Sequence, residues 1–415
     1  MKKFLLVSMI VATAICSYAA DLKITGDAYV KGNWIQNSAL AEEDEKGYGY
    51  YDYDFNLYAA IVINEQASVN FKLTYDKAYV AGGNTKGEAG KNGTGEYLSV
   101  EYAYIKYKFN TGTIVDFGMM SGGTWATKFG ETESPAMRIK VTQVVAPELT
   151  LLAIIQKSQE NGAAKSGVYV TSADGTTSVD NESNDNDTYY LAAILNLGPI
   201  AIKPLLVYGR DGNNQEYNHA NEAYLKQTYS GQLGIDINLD PIGLESEFQY
   251  TKIDMDGGAD GITPDTKTYA GYVNVWMKMD PIKVGVAGAY ASADEIDGTA
   301  SMGQDFNFCI VVDEVLSEIA GGVSGFTIGK VYAEVKLDPV TIGVAGLYGY
   351  NNRDWDTSTQ SKDAAFTEFD AFITFALDAN VSYTIDGGYA MLSDWSVKGH
   401  DADVYAIRHK LAAKF

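Results

Sequence analysis

The strongest constraint in this chain is a period of two. Tyr51, Tyr53, Phe55, Leu57, Ala59, Ile61 and Ile63 occupy every second position, with Asp52, Asp54 and Asn56 between them. An extended backbone sends successive side chains to opposite sides, so the segment reads as a strand with one apolar and one polar face. The same alternation runs through Ala67 to Tyr75, Thr367 to Leu377, and Tyr405, Ile407, His409, Leu411, Ala413 and Phe415. Such runs exceed the mean globular strand of about 5–6 residues and match the roughly 9–11 tilted residues that cross a bilayer. Beyond the first twenty residues, no apolar run approaches the roughly 18 residues of a membrane helix. With 30 Tyr, 15 Phe and 46% hydrophobic residues there is ample surface to bury, which argues against disorder. The balance of 54 acids to 31 bases gives a net charge of −23, against a nucleic-acid partner, whose phosphates demand a basic footprint.

Connections alternate in length. Short turns fall at 64–66, 110–111, 146–148, 198–199, 240–241, 280–281, 338–339 and 378–380. Long polar stretches fall between them at 37–49, 80–96, 121–134, 158–188, 210–223, 253–266, 292–326, 351–365 and 392–402. This asymmetry is that of an antiparallel up-and-down transmembrane β-barrel, with tight turns on one side and long external loops on the other. Counting segments gives about 18 strands, an even number that leaves both termini on the same side. The count falls to about 16 if the ambiguous 97–120 and 292–326 regions read otherwise, and Asp313 to Ile319 suits a helical turn. Leu239-Asp240-Pro241-Ile242, Met279-Asp280-Pro281-Ile282 and Leu337-Asp338-Pro339-Val340 repeat one pattern that suits a type I turn. Across these turns Leu239 with Leu244, Met279 with Val284 and Leu337 with Ile342 should pair on one face, since a one-residue slip would invert every side chain.

The N-terminus reads as an export signal over residues 1–19. Lys2 and Lys3 precede an apolar stretch from Phe4 to Ile15, and Ser17-Tyr18-Ala19 offers a small-residue cleavage site. Residues 20–415 then form one barrel domain. Removal of the signal takes Cys16 with it and leaves Cys309 as a single thiol, expected to be buried and inert, so no intramolecular disulfide is available.

Hydrocarbon cannot satisfy backbone N–H and C=O groups, so strands in a membrane must close on themselves. The apolar set would face lipid, with Tyr348, Tyr350, Tyr389 and Phe415 near strand ends as an interfacial girdle. The opposite face carries Lys72, Lys106, Lys108, Glu245, Glu247, Gln249, Lys278, Glu334, Lys336 and Asp386. So many charges need water, which makes the interior an aqueous channel.

At this point the chain resembles the Gram-negative outer-membrane porins. Two segments carry the resemblance: the last strand, with Tyr405, Ile407 and Leu411 behind a terminal Phe415, and Gly112-Thr113-Ile114-Val115-Asp116-Phe117-Gly118 before a Gly-rich stretch. The terminal strand is similar to the signature read by the barrel-assembly machinery. The Gly112 to Gly118 segment resembles the strand preceding an inward-folded constriction loop, although Met119 stands where a basic residue is usual. The resemblance implies an outer-membrane location among lipid and lipopolysaccharide, a homotrimer, no cofactor and no enzymatic activity. Its implied function is passive diffusion of small hydrophilic solutes and ions. If 121–134 folds inward, Lys128, Glu131 and Glu133 would line the narrowest point, facing Lys72, Lys106, Lys108, Arg138 and Lys140. Acids opposite bases would set a transverse field, and the acidic excess favours cations. The alternative is that Glu131 and Glu133 merely solvate a loop tip.

Other chemistries are less well supplied. Asp254, Asp256 and Asp260 sit among glycines, and Asp180, Glu182, Asp185 and Asp187 cluster, but neither matches a calcium-loop spacing. The only histidines are His219, His400 and His409, without a catalytic constellation around them. Two non-enzymatic alternatives stay open: a surface-display or adhesive barrel, and a solute-specific sugar channel with Tyr104, Tyr190, Tyr272, Trp276 and Tyr332 as an inward aromatic track.

Overall fold

The computed structural model describes residues 21–36, 47–80, 97–130, 135–159, 169–171, 177–179, 186–211, 225–256, 265–294, 298–300, 302, 306, 308–315, 325–356, 361–395 and 401–415. Eighteen strands form one sheet. In chain order they are β1 (Asp21–Gln36), β2 (Tyr48–Val62), β3 (Ala67–Val80), β4 (Tyr97–Lys108), β5 (Thr113–Met120) and β6 (Ala136–Ala146). Next come β7 (Leu149–Gln159), β8 (Asn186–Leu197), β9 (Ile200–Asp211), β10 (Leu225–Leu239), β11 (Ile242–Asp256) and β12 (Thr266–Met279). The last six are β13 (Ile282–Ala291), β14 (Phe326–Leu337), β15 (Val340–Asn351), β16 (Ala365–Ala376), β17 (Val381–Ser393) and β18 (Ala402–Lys414). Each pairs antiparallel with its sequence neighbour, and β18 pairs with β1 from Lys414↔Asp27 to Tyr405↔Gln36, so the barrel is closed. Closure leaves no edge, the condition lipid imposes on a sheet.

The expected strands are found within a few residues, and the count is eighteen rather than sixteen. Three local expectations need correction. Leu239 pairs with Ile242, Met279 with Ile282 and Leu337 with Val340, two residues nearer the turn than expected, so parity holds while the partner changes. Asp240-Pro241, Asp280-Pro281 and Asp338-Pro339 are the central residues of these two-residue turns and are joined by cis peptide bonds, which a type I turn does not contain. The helical turn in the long loop after β13 is a π-turn at Ile310–Val315, beginning upstream of Asp313.

The two faces separate as the alternation demands. Ile24, Val30, Phe55, Leu191, Leu206, Phe248, Val286, Val331, Val344 and Phe369 are all exposed on the outside. His409 lies on that face too, edge-on to the Tyr51 ring and tilted against Tyr383. At the closing seam Phe415 stacks on Phe55 at 5.9 Å and lies over Gly26, where a Cβ would collide with its ring. Residues of opposite parity reach across the interior to segments from distant loops, which identifies the inner face.

The interior is not one open tube. Described residues of the loop after β13 pack Phe306, Phe308, Cys309, Val311 and Val312 inside the barrel, against Ile328, Phe366 and Ala390 from the wall. Phe326, Leu392 and Trp395 extend this apolar mass toward the long-loop end. The expectation of a wholly aqueous interior is corrected here. One sector is dry because apolar loop residues fill it, and burying them is favourable. Cys309 is buried and forms no disulfide among the described residues.

Candidate functional site

The site is built by two loop segments that enter the lumen. Past Met120 the chain turns through Gly122 and Gly123, the latter at φ 80°, where a side chain would be strained. It then runs to the far wall. Trp125 Nε1 donates to the carbonyl of Lys203 on β9 at 3.0 Å. Ala126 sits flush on Gly234 of β10. The backbone N–H and hydroxyl of Thr127 both donate to Glu247 Oε2 on β11, each at 2.8 Å. Phe129 is fully buried and stacks on Tyr272 of β12 at 5.9 Å. Residues 121–130 are therefore an inward insert, as the resemblance implied.

The other insert was not foreseen. Its π-turn points backbone N–H groups at β16: Val311 donates to Glu368 Oε1 at 2.6 Å, Val312 to Glu368 Oε2 at 3.0 Å and Ile310 to Asp370 at 3.3 Å. Lys330 Nζ on β14 donates to the Phe308 carbonyl at 2.7 Å. The two inserts meet where Phe306 stands edge-on to Phe129 at 5.0 Å and to Tyr272 at 4.9 Å.

Two cavities among the described residues border the inserts. The wider, about 740 Å³, lies against β11–β16 with both inserts over it. Its charged lining is Glu245, Glu334 and Asp370 with Lys128, Lys283 and Lys330. Tyr272 hydroxyl and Asn274 Nδ2 both donate to Glu245 Oε1, at 2.8 and 3.1 Å. Lys283 Nζ stands 5.3 Å from the ring centroids of both Trp276 and Tyr332. These rings lie flat over glycines of the adjacent strands, Trp276 over Gly243 and Tyr332 over Gly285, where any Cβ would overlap them. Glycine on the neighbouring strand is thus what lets bulky inward rings hug the wall.

The narrower cavity, about 350 Å³, lies between the first insert and β4–β10. Tyr102, Tyr104, Tyr190 and Trp125 give it aromatic surface, Ile154, Leu205 and Val207 apolar surface, and Arg138 and Lys140 its cations. Both cations are engaged: Arg138 donates to Gln156 Oε1 at 2.8 Å and to the Met120 carbonyl at 2.6 Å, and Lys140 pairs with Asp116 at 2.9 Å. Ser121 Oγ and Gln232 Oε1, also in the lining, are buried without a hydrogen-bond partner among the described residues.

Of the sequence-predicted constriction residues, Lys128 lines the wider cavity, and Arg138 and Lys140 the narrower. Lys72 pairs in the wall with Glu101 at 2.5 Å, Lys106 stands in register with Asp116, and exposed Lys108 sits by the short turn, its N–H bonded to the Gln66 carbonyl. Those three lysines line neither cavity. Glu131 and Glu133 lie outside the described residues, as do His219, His400, Asp260, Asp180, Glu182, Asp185 and residues 1–19. The acids that face the inserts are instead on strands, and Glu368 and Asp370 are the two whose role the sequence did not single out. Of the calcium candidates, Asp254 pairs with Lys252 at 2.6 Å, and the described residues hold no metal-type cluster. Tyr405, Ile407, Leu411 and Phe415 all point outward and are exposed.

No protein-family model and no curated protein matches the chain. Solved structures do. OpdQ from Pseudomonas aeruginosa superposes with a TM-score of 0.58 at 12% identity, covering 96% of this chain and 98% of that one. OccK11 (OpdR) from the same organism gives 0.54 at 10% identity over 94% and 96%. The outer membrane protein OprD, also from Pseudomonas aeruginosa, gives 0.54 at 10% identity over 94% of each chain. The fold is therefore the closed eighteen-stranded barrel of the outer-membrane porins.

Proposed function

We propose, from that porin fold, that the chain is a passive outer-membrane channel for small hydrophilic solutes and ions. One observation carries the reading: a closed barrel, apolar outside, whose charged inner face is crossed by inserted loops that narrow the lumen without chemistry of their own. Cation preference is a further part of the proposal. Glu245, Glu334 and Asp370 face the wider cavity together with Lys128, Lys283 and Lys330, of which Lys330 is held by the Phe308 carbonyl and Lys283 by the Trp276 and Tyr332 rings, while the cations of the narrower one are neutralised by Asp116 or engaged by carbonyl oxygens. Carboxylates lining a pore raise the local concentration of cations. An outer-membrane location, a signal over residues 1–19, assembly through the Phe415-terminated strand and a homotrimer belong to the same reading. Single-channel conductance in a planar bilayer under a salt gradient tests it. Stable steps with a cation-selective reversal potential are expected, moving toward zero in Glu245→Gln/Glu334→Gln. Silence from a folded, heat-modifiable barrel would overturn the channel reading and favour surface display.

A sugar-preferring channel is the alternative reading, favoured by the narrower cavity. Its rings offer flat faces, and the unpartnered Gln232 Oε1 and Ser121 Oγ call for a ligand that both donates and accepts. A neutral polyol fits that need better than an anion, because the cations are already satisfied. Saturable block of conductance by glucose, relieved in Tyr104→Ala, is the expected sign. Unsaturable behaviour up to molar glucose leaves general diffusion alone.

A further inference from the structure

We propose that Glu247 and Glu368 are paired positioning residues that lock the two inserts into one unit, so that the lumen is set by docking rather than by the barrel. The consequence for conductance rests on the porin reading; the docking claim does not.

Both carboxylates are among the few charged groups sealed from solvent, at 2% and 0% exposure. Each meets an insert, Glu247 through Oε2 and Glu368 through both oxygens. Glu247 accepts from Thr127 N–H, Thr127 hydroxyl and Gln249 Nε2. Glu368 accepts from two consecutive N–H groups of the π-turn, one per oxygen. Charge-assisted bonds of this kind are about twice as strong as neutral ones. Each clasp also has a glycine that makes room for it. A Cβ on Gly130 would overlap Glu247 Oε1, and one on Gly388 would come within 2.5 Å of Asp370 Oδ1, 2.9 Å of Val311 Cγ2 and 3.2 Å of Glu368 Oε1, all three part of the contact between β16 and the second insert. The inserts touch through Phe306 against Phe129, so releasing one removes packing from the other.

Cys309 reports on docking independently of conduction. It is buried in the second insert, and with Cys16→Ser it is the only thiol. The test measures maleimide modification of Cys309 in the full chain folded in detergent, with heat-modifiable migration confirming the barrel. Glu368→Gln keeps the shape but turns an amide NH₂ toward one donating N–H. Its modification rate is expected to rise roughly tenfold, the ratio corresponding to about 1.4 kcal/mol of lost docking. Gly388→Ala, which leaves all charges in place, should do the same. Glu247→Gln should raise the Cys309 rate as well, by transmission through Phe129 and Phe306, and the addition of Phe306→Ala should abolish that effect of Glu247→Gln. In bilayers the same variants should show larger, flickering steps. Unchanged Cys309 protection in folded Glu368→Gln and Gly388→Ala overturns the clasp. A Cys309 rate that responds to Glu368→Gln but not to Glu247→Gln overturns the coupling. If the wild type conducts nothing while Cys309 is released as expected, the porin reading fails and the clasp stands.

Discussion

The two halves of the inner wall solve the same problem differently. Along β1–β10 four lysines find a counterion on the wall itself: Lys31 with Asp52, Lys72 with Glu101, Lys140 with Asp116 and Lys203 with Asp236. Along β11–β16 Glu245, Glu247, Glu368 and Asp370 turn instead to hydrogen-bond donors, in the inserts and on neighbouring side chains. Cross-strand pairs stiffen a wall that can face water. Carboxylates aimed at loop N–H groups give that half a folded filling beside the wider cavity. The difference teaches that a barrel of one architecture carries a rigid sector and a configurable one, separated by where its anions are satisfied.

Substitutions test that contrast in descending order of effect. Phe129→Ala removes a fully buried ring from the meeting point of the inserts and should cost about 3–5 kcal/mol of docking. It should appear as large, noisy conductance steps from a barrel that still shifts on heating. Next, Asp116→Asn strands the Lys140 ammonium beside a site only 2% exposed. About 1–3 kcal/mol of stability should be lost, read by denaturant unfolding in detergent, and selectivity should move toward anions because a positive charge is uncovered. Gly285→Val drives a branched side chain into the Tyr332 ring. An overpacking cost of about 1–3 kcal/mol and altered passage through the wider cavity should follow. Smallest is Lys72→Met, which breaks one wall pair and should change stability by no more than about 1 kcal/mol. A Lys72→Met barrel as damaged as Phe129→Ala would erase the distinction between the two sectors.

Much of this was legible before any coordinates. Period-two segments fixed which side chains face lipid, because a strand has only two faces, and Tyr405, Ile407 and Leu411 point outward as their parity demands. The insert at 121–130 was legible only by resemblance, at Gly112 to Gly118 and the glycines that follow. The insert after β13 was not legible at all. Phe306, Phe308 and Ile310 to Val312 read equally as a strand or a buried turn, since a short apolar run carries no period that tells them apart. Glu368 resembled any inward acid of an alternating strand. Its donors lie 57 and 56 residues upstream, a distance at which local pattern says nothing. Lys72, Lys106 and Lys108 lie away from the cavities for a related reason: parity tells which face a residue occupies but not its depth, and Lys108 lies beside a short turn.

The closing seam has a consequence for time rather than shape. Phe415 exchanges backbone hydrogen bonds with Gly26, so the first strand finds its other partner only when the last has emerged. Every other strand meets its neighbours from nearby sequence, whereas this single ladder joins the most distant parts of the chain, the costliest kind of contact to form. Until it forms, β1 and β18 are open edges that neither lipid nor water leaves safe. That one ladder removes both edges at once, so the protection of the whole sheet depends on its two ends meeting.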